Sequence, residues 1–109
     1  MTRKELASII SGFGLPAAYH QFTNNTQQET PYVCYYYDES SDLYADNLNY
    51  TKVENVAIEL YCDNKRTDLE DMIENSLNAN GLTYTKHETY IDAEQLLCTT
   101  YYTEVLING

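Results

Sequence analysis

The chain is short of positive charge. Six Lys and Arg stand against 17 Asp and Glu, a net charge of −11 over 109 residues, with an isoelectric point near 4.2. Electrostatically driven binding to DNA depends on cations that displace condensed counterions. Six are too few, so DNA is at most a neighbour that this surface repels. Long apolar runs are lacking as well: the longest is Tyr32-Val33-Cys34-Tyr35-Tyr36-Tyr37, far short of the about 20 residues a bilayer requires, so no membrane partner is expected. Arg3 and Lys4 are followed by Glu5 rather than by an apolar core, which argues against a secretory peptide. The three cysteines, Cys34, Cys62 and Cys98, are odd in number and widely spaced. That pattern points to reduced, buried thiols in a cytosolic product rather than a disulfide framework. Tryptophan is absent, but tyrosine occurs 12 times, and 43% of the residues are hydrophobic. A disordered acidic tail lacks such aromatics, so a folded core is expected, as one domain over residues 1–109.

Catalytic constellations are also missing. A nucleophilic enzyme needs a nucleophile, a base and a group that orients the base, and only His20 and His87 are present as histidines. Both stand among polar or strand-edge neighbours and read as solvent-facing. Cys34 or Cys62 paired with His87 has no local signature of a thiol site. There is no Cys-x-x-Cys, no His-x-x-x-His and no acidic loop with the glycine hinge of a calcium site. Gly12-Phe13-Gly14 follows no strand and precedes no lysine at phosphate-loop spacing. Catalytic, metal-ligating and cofactor-binding residues are therefore all expected to be none.

What the chain does have is clear local signalling. Thr2 and Glu5 have capping-box spacing, and Leu6, Ile9, Ile10 and Phe13 recur at helical spacing. A helix is predicted over 3–12, ended by Gly12, Gly14 and Pro16. An edge strand is predicted over 17–22, a polar loop over 24–30, and a strand of high β propensity over 32–37. Asp38-Glu39-Ser40-Ser41-Asp42 reads as an acidic turn, and 43–49 as loop or hairpin arm. From 50 to 62 a strand alternates: Val56, Ile58, Leu60 and Cys62 face one way, Asn55, Ala57, Glu59 and Tyr61 the other.

A second helix is predicted from Thr67, with Glu70 completing a capping box and Asn80-Gly81 the stop. Leu69, Met72, Ile73 and Leu77 form its apolar stripe, and Asp68, Glu70, Asp71 and Glu74 an acidic exposed face. Strands over 82–90 and 94–107 follow, joined at Ile91-Asp92-Ala93. The order α-β-β-α-β-β implies an α+β domain, with two helices on one face of a mostly antiparallel sheet of four to five strands.

Ten tyrosines lie in or beside these strands, and neighbouring ones point to opposite faces. They either shield a half-buried sheet or form a protein–protein surface, where tyrosine is enriched. Tyr36, Tyr37, Glu59, Tyr61, Tyr101 and Tyr102 are the candidate subunit interface, with Glu59 an exposed carboxylate or half of an inter-subunit ion pair. Asp38, Glu39, Asp42 and Asp46 form the most concentrated acidic segment, a solvated loop or a lining that faces a partner or a lumen.

In size and rhythm the chain resembles the small tail-completion (tail-terminator, tail-to-head joining) proteins of long-tailed bacteriophages. The opening helix ending near Leu15-Pro16, Pro31-Tyr32-Val33-Cys34-Tyr35 and Val56-Ala57-Ile58-Glu59-Leu60-Tyr61 carry the likeness. The helix from Asp68, Gly81-Leu82-Thr83-Tyr84, and Tyr90-Ile91 with Glu94 complete it. The resemblance implies a structural virion protein without cofactor or turnover. Such proteins form a ring, often a hexamer, at the head-proximal end of the tail tube, where they end tail polymerisation and offer the head-docking surface. Its partners are itself, the tail tube protein and a head-completion or connector protein. DNA passes as cargo, and the host cytoplasm is the place of assembly. Two alternatives stand beside it: an acidic inhibitor of a host nuclease that mimics DNA, and a head-completion adaptor of the same connector. A DNA mimic needs carboxylates about 7 Å apart along one face, following the phosphates. Here the acids scatter over loop, helix and strands.

Overall fold

The computed structural model describes residues 1–22, 28–40, 43–45 and 48–107. Its elements are α1 (Arg3–Ser11), β1 (Ala17–Tyr19), β2 (Tyr32–Ser40), β3 (Leu43–Ala45), β4 (Leu48–Cys62), α2 (Thr67–Ala79), β5 (Tyr84–Ile91) and β6 (Leu96–Ile107). The strands lie in the order β1-β2-β4-β6-β5, with β3 paired to β4 beside this path. Only β1 with β2 is parallel; the other pairs are antiparallel. This is the expected α+β class.

Local chemistry sets the start of α1 and the end of α2. Thr2 and Glu5 form the capping box: the Glu5 amide donates to Thr2 Oγ1 at 3.0 Å and the Thr2 amide to Glu5 Oε1 at 3.2 Å. At the end of α2 the Leu82 amide donates to the Leu77 carbonyl, and the Gly81 amide to that of Asn78. Gly81 takes φ +72°, the left-handed step that this double closure needs and glycine supplies without strain. Leu82 is thereby carried into the core.

That core lies between the helices and one face of the sheet. Val56, Ile58 and Leu60 are at most 1% exposed, and Leu6, Ile10, Ile73 and Leu77 pack into the same cluster. Ile9, Leu69 and Met72 border it, half-buried. The alternation read along 50–62 therefore has the predicted sense: its apolar members face the helices.

Two local expectations are corrected and one left open is decided. Asp38 and Glu39 are not in a turn, because β2 runs on to Ser40. The pairing of Tyr37 with Val56 and of Ser40 with Glu54 carries the strand through a bulge that local propensity does not encode. Leu43–Ala45 takes the hairpin-arm option, paired with the start of β4. Third, Thr67 and Glu70 make no capping box. Thr67 is already helical, and Arg66 precedes it without a side-chain cap.

The reason is that Glu70 has stronger partners. It is 2% exposed rather than part of an exposed face. Its Oε1 accepts from Lys65 Nζ at 2.9 Å and Lys86 Nζ at 2.7 Å, and two ammonium donors outbid one backbone amide for a carboxylate. Lys86 also donates to Glu74 Oε2 at 2.8 Å, and the same oxygen accepts from the Tyr101 hydroxyl at 2.8 Å. Tyr84 donates to Glu74 Oε1, and Lys65 to Glu88. This chain of charge pins α2 onto β5 and β6.

Burial alone raises a carboxyl pKa. At Glu70 the hydrogen bonds from Lys86 and Lys65 outweigh it, and at Glu74 those from Lys86 and Tyr101, so both carboxyls titrate below their ordinary value. Groups lowered in this way contribute stability above the unfolded carboxyl value of about 4.3 and lose it as pH falls through the native value.

Three mutational outcomes follow from this packing. Leu60→Ala should lower stability by about 2–5 kcal/mol in denaturant titration; an unchanged midpoint would refute the core. Lys86→Met should cost about 1–3 kcal/mol at neutral pH, because it removes the charged hydrogen bonds to Glu70 and Glu74 and leaves each carboxylate with its remaining donors. Glu70→Gln should lose less stability than the parent when the pH is taken below about 4.3.

Candidate interaction surface

The two helices cover one face of the sheet, and the register places a second set of side chains on the other. Across β2, β4 and β6 this open face runs in rows. Tyr32, Tyr61 and Cys98 make the first, Cys34, Glu59 and Thr100 the second, and Tyr36, Ala57 and Tyr102 the third. His87 of β5 extends the second row and Thr85 the third.

The middle of the face is built from small side chains under larger ones. Cys34, Ala57, Cys98 and Thr100 are at most 6% exposed although no helix lies above them. Tyr32 and Tyr61 stack with centroids 4.9 Å apart, and Tyr36 leans on His20 at 5.7 Å. The Tyr61 hydroxyl donates to Glu59 Oε1 at 2.9 Å. Burial first, then Cys98 and Glu59, holds the Tyr61 hydroxyl protonated far above its ordinary range. Two shallow hollows open here, one beside Asp38, Tyr102 and Glu104, the other between His20, Tyr32 and Glu94.

Of the candidate interface residues, the structure brings Tyr36, Glu59, Tyr61 and Tyr102 together on this face. Tyr101 is removed from the set: it is 0% exposed, its ring in the core and its hydroxyl on Glu74. Tyr37 belongs to the helix side, opposite Val56, 5.7 Å from the Tyr19 ring and 5.8 Å from the Arg3 guanidinium carbon. Period-two geometry separates each adjacent pair, and only the register says which member faces the helices. Tyr32 and Cys34 lie on the same face, as their parity with Tyr36 in one strand implies.

Asp38 is exposed at the far part of β2. Asp42 and Asp46 lie outside the described residues. His20 and His87 are both exposed, as their neighbours suggested. Among the described residues no three His, Cys, Asp or Glu side chains gather as metal ligands, and no helix is long and apolar enough to cross a membrane.

The thiols are buried and free. Burial, then the charges of Glu59 and Cys98, pushes the Cys34 thiol up to about 11; burial also raises Cys62 and Cys98. A thiol held protonated is a poor nucleophile. Cys34 and Cys98 lie on strands separated by β4, about 9.6 Å across at two strand spacings, too far for a disulfide. Cys62 points to the opposite face.

No family model and no curated protein matches the chain. Among solved structures it is similar to a chain from the virion of a native gene transfer agent particle. That match has a TM-score of 0.64 and 10% identity, and covers 94% of this chain and 86% of the other. Likeness at this identity establishes a shared fold.

The thiol environment has a direct readout. All three cysteines should resist a thiol reagent such as Ellman's in native buffer and react fully on unfolding. An intramolecular bridge in non-reduced mass spectrometry would contradict the geometry.

Proposed function

We propose that this protein is a structural component of a phage-like virion. In this reading it closes the head-proximal end of the tail tube as a ring of six copies, stops tube growth and presents the surface on which the head docks. The observation that carries the reading is the fold shared, over 94% of the chain, with a virion chain of a gene transfer agent particle.

Two physical features support it. A ring uses two different patches on each subunit, and the open face offers one rich in half-exposed tyrosine, the residue enriched at interfaces. The net charge of −11 suits a passage for DNA, since carboxylates repel phosphates and let the strand slide without sticking. The partners in this reading are other copies, the tail tube protein and a connector protein of the head.

Deleting the gene in the producing phage tests the role. A tube terminator predicts filled heads beside detached tails of uncontrolled length. Tails of normal length beside heads that leak DNA would assign the chain to the head-completion step, and an undiminished yield of infectious particles would refute both. Charge reversal to lysine at Asp38, Glu39, Asp42 and Asp46 should leave folding intact and lower infectivity. Normal infection by such particles would dismiss the acidic segment from the mechanism.

A further inference from the structure

Strand β5 ends the sheet: among the described residues it pairs with β6 alone. It is eight residues long, Tyr84–Ile91, and residues 85–90 are all exposed. Its ladder with β6 runs from Tyr84 opposite Thr103 to Ile91 opposite Leu96 without a shift in register, and it contains no proline. A regular edge offers free amides and carbonyls to another chain, so proteins blunt edges with short strands, bulges, prolines or outward charges. The opposite edge is blunted in this way. There β1 has three residues, His20 after it turns the chain at φ +69°, and β2 beyond it is bulged. The lysine of β5 gives no such protection, because Lys86 is held by Glu70 and Glu74 of α2.

The strand is also complementary to itself. Tyr84-Thr85-Lys86-His87-Glu88-Thr89-Tyr90 reads the same in both directions, except that lysine is exchanged for glutamate. A second copy laid antiparallel along this edge, with His87 opposite His87, sets Tyr84 against Tyr90, Thr85 against Thr89 and Lys86 against Glu88. Each pair occurs twice, and aromatic, hydroxyl and opposite-charge pairs are those that stabilise an antiparallel ladder. The faces agree as well. Tyr84, Lys86, Glu88 and Tyr90 share the helix side, and Thr85, His87 and Thr89 the open side, so both copies carry their helices on one face. Centring the pair on Lys86 or Glu88 would oppose like charges, and the registers in between would set the helix side of one copy beside the open side of the other.

We propose that β5 pairs with β5 of a second copy, antiparallel and centred on His87, so that the two sheets join into one. Tyr90 is 52% exposed, and this contact gives its ring a cover, Tyr84 of the second copy. Glu88 already accepts from Lys65, so a Lys86 arriving from the second copy links the two charge networks. The strand itself carries one ammonium and one carboxylate, which keeps the contact line neutral although each copy is acidic. Such a contact is isologous and closes on itself. It is a dimer contact of the free chain, distinct from the head-to-tail contact of a ring, and it stands apart from the virion reading.

The test combines sedimentation equilibrium over a range of concentrations with cysteine cross-linking. Directly opposed residues of an antiparallel ladder have Cα atoms about 4.5–5.5 Å apart, within disulfide range. His87→Cys should therefore form an intermolecular disulfide under mild oxidation. Thr85→Cys should not, because the two copies of that residue stand four positions out of register, about 14 Å along the strand. The unmodified chain should show a monomer–dimer equilibrium. His87→Asp and Glu88→Lys, both folded by their spectra, oppose like charges and should each weaken the dimer tenfold or more, while Asp71→Asn on the exposed side of α2 should leave it unchanged. A monomer at every concentration, a dimer indifferent to both edge variants, or equal bridging by Thr85→Cys and His87→Cys would overturn the proposal. Rings in electron micrographs without the His87→Cys bridge would support the virion reading and overturn this one; the bridge together with an edge-sensitive dimer would bear it out whatever deletion of the gene shows.

Discussion

One register decides the molecule: that of β4 between β2 and β6. Val33, Leu60 and Thr99 share a row, as do Tyr36, Ala57 and Tyr102. A slip by one residue would send every side chain of the strand to the other face. Val56, Ile58 and Leu60 of β4 are buried under Leu6, Ile10, Ile73 and Leu77, so the core enforces the register. The composition of the open face is then a consequence: whatever alternates with Val56, Ile58 and Leu60 must point away from the helices.

Helix α2 is held differently from α1. Its apolar stripe packs on the sheet, but Glu70 and Glu74 lie on the same side and are drawn in by Lys65, Lys86, Tyr84 and Tyr101. A chain with six cations thus commits two of them to one network that fastens a helix to the sheet's edge strand.

The open face is where fold and proposed function meet. Its floor of Cys34, Ala57, Cys98 and Thr100 is buried by its own neighbours, so the tyrosines above it form a packed layer with their edges and some faces outward. A layer of this kind gives rigid contact area at little cost in side-chain entropy. For a protein proposed to work by standing between other proteins, the chemistry needed is shape, charge sign and a few planar rings, and these are what the face contains.

The amino-acid sequence by itself determined what local chemistry decides. The capping box at Thr2 and Glu5, the glycine stop at Gly81 and the period-two pattern through Leu60 all act between residues a few positions apart, and each appears in the structure as read. The α+β class followed from their order. Only the tertiary structure decided which of two adjacent tyrosines is core, because Tyr101 and Tyr102 differ in nothing except the face that pairing gives them. It alone showed that Glu70 is buried, because Lys86, which holds it, arrives from another strand. It extended β2 through Asp38, because pairing with β4 outweighs the turn preference of an acidic run. Locally, a carboxylate or a tyrosine is compatible with either side of a sheet, and the choice is made by neighbours that are distant along the chain.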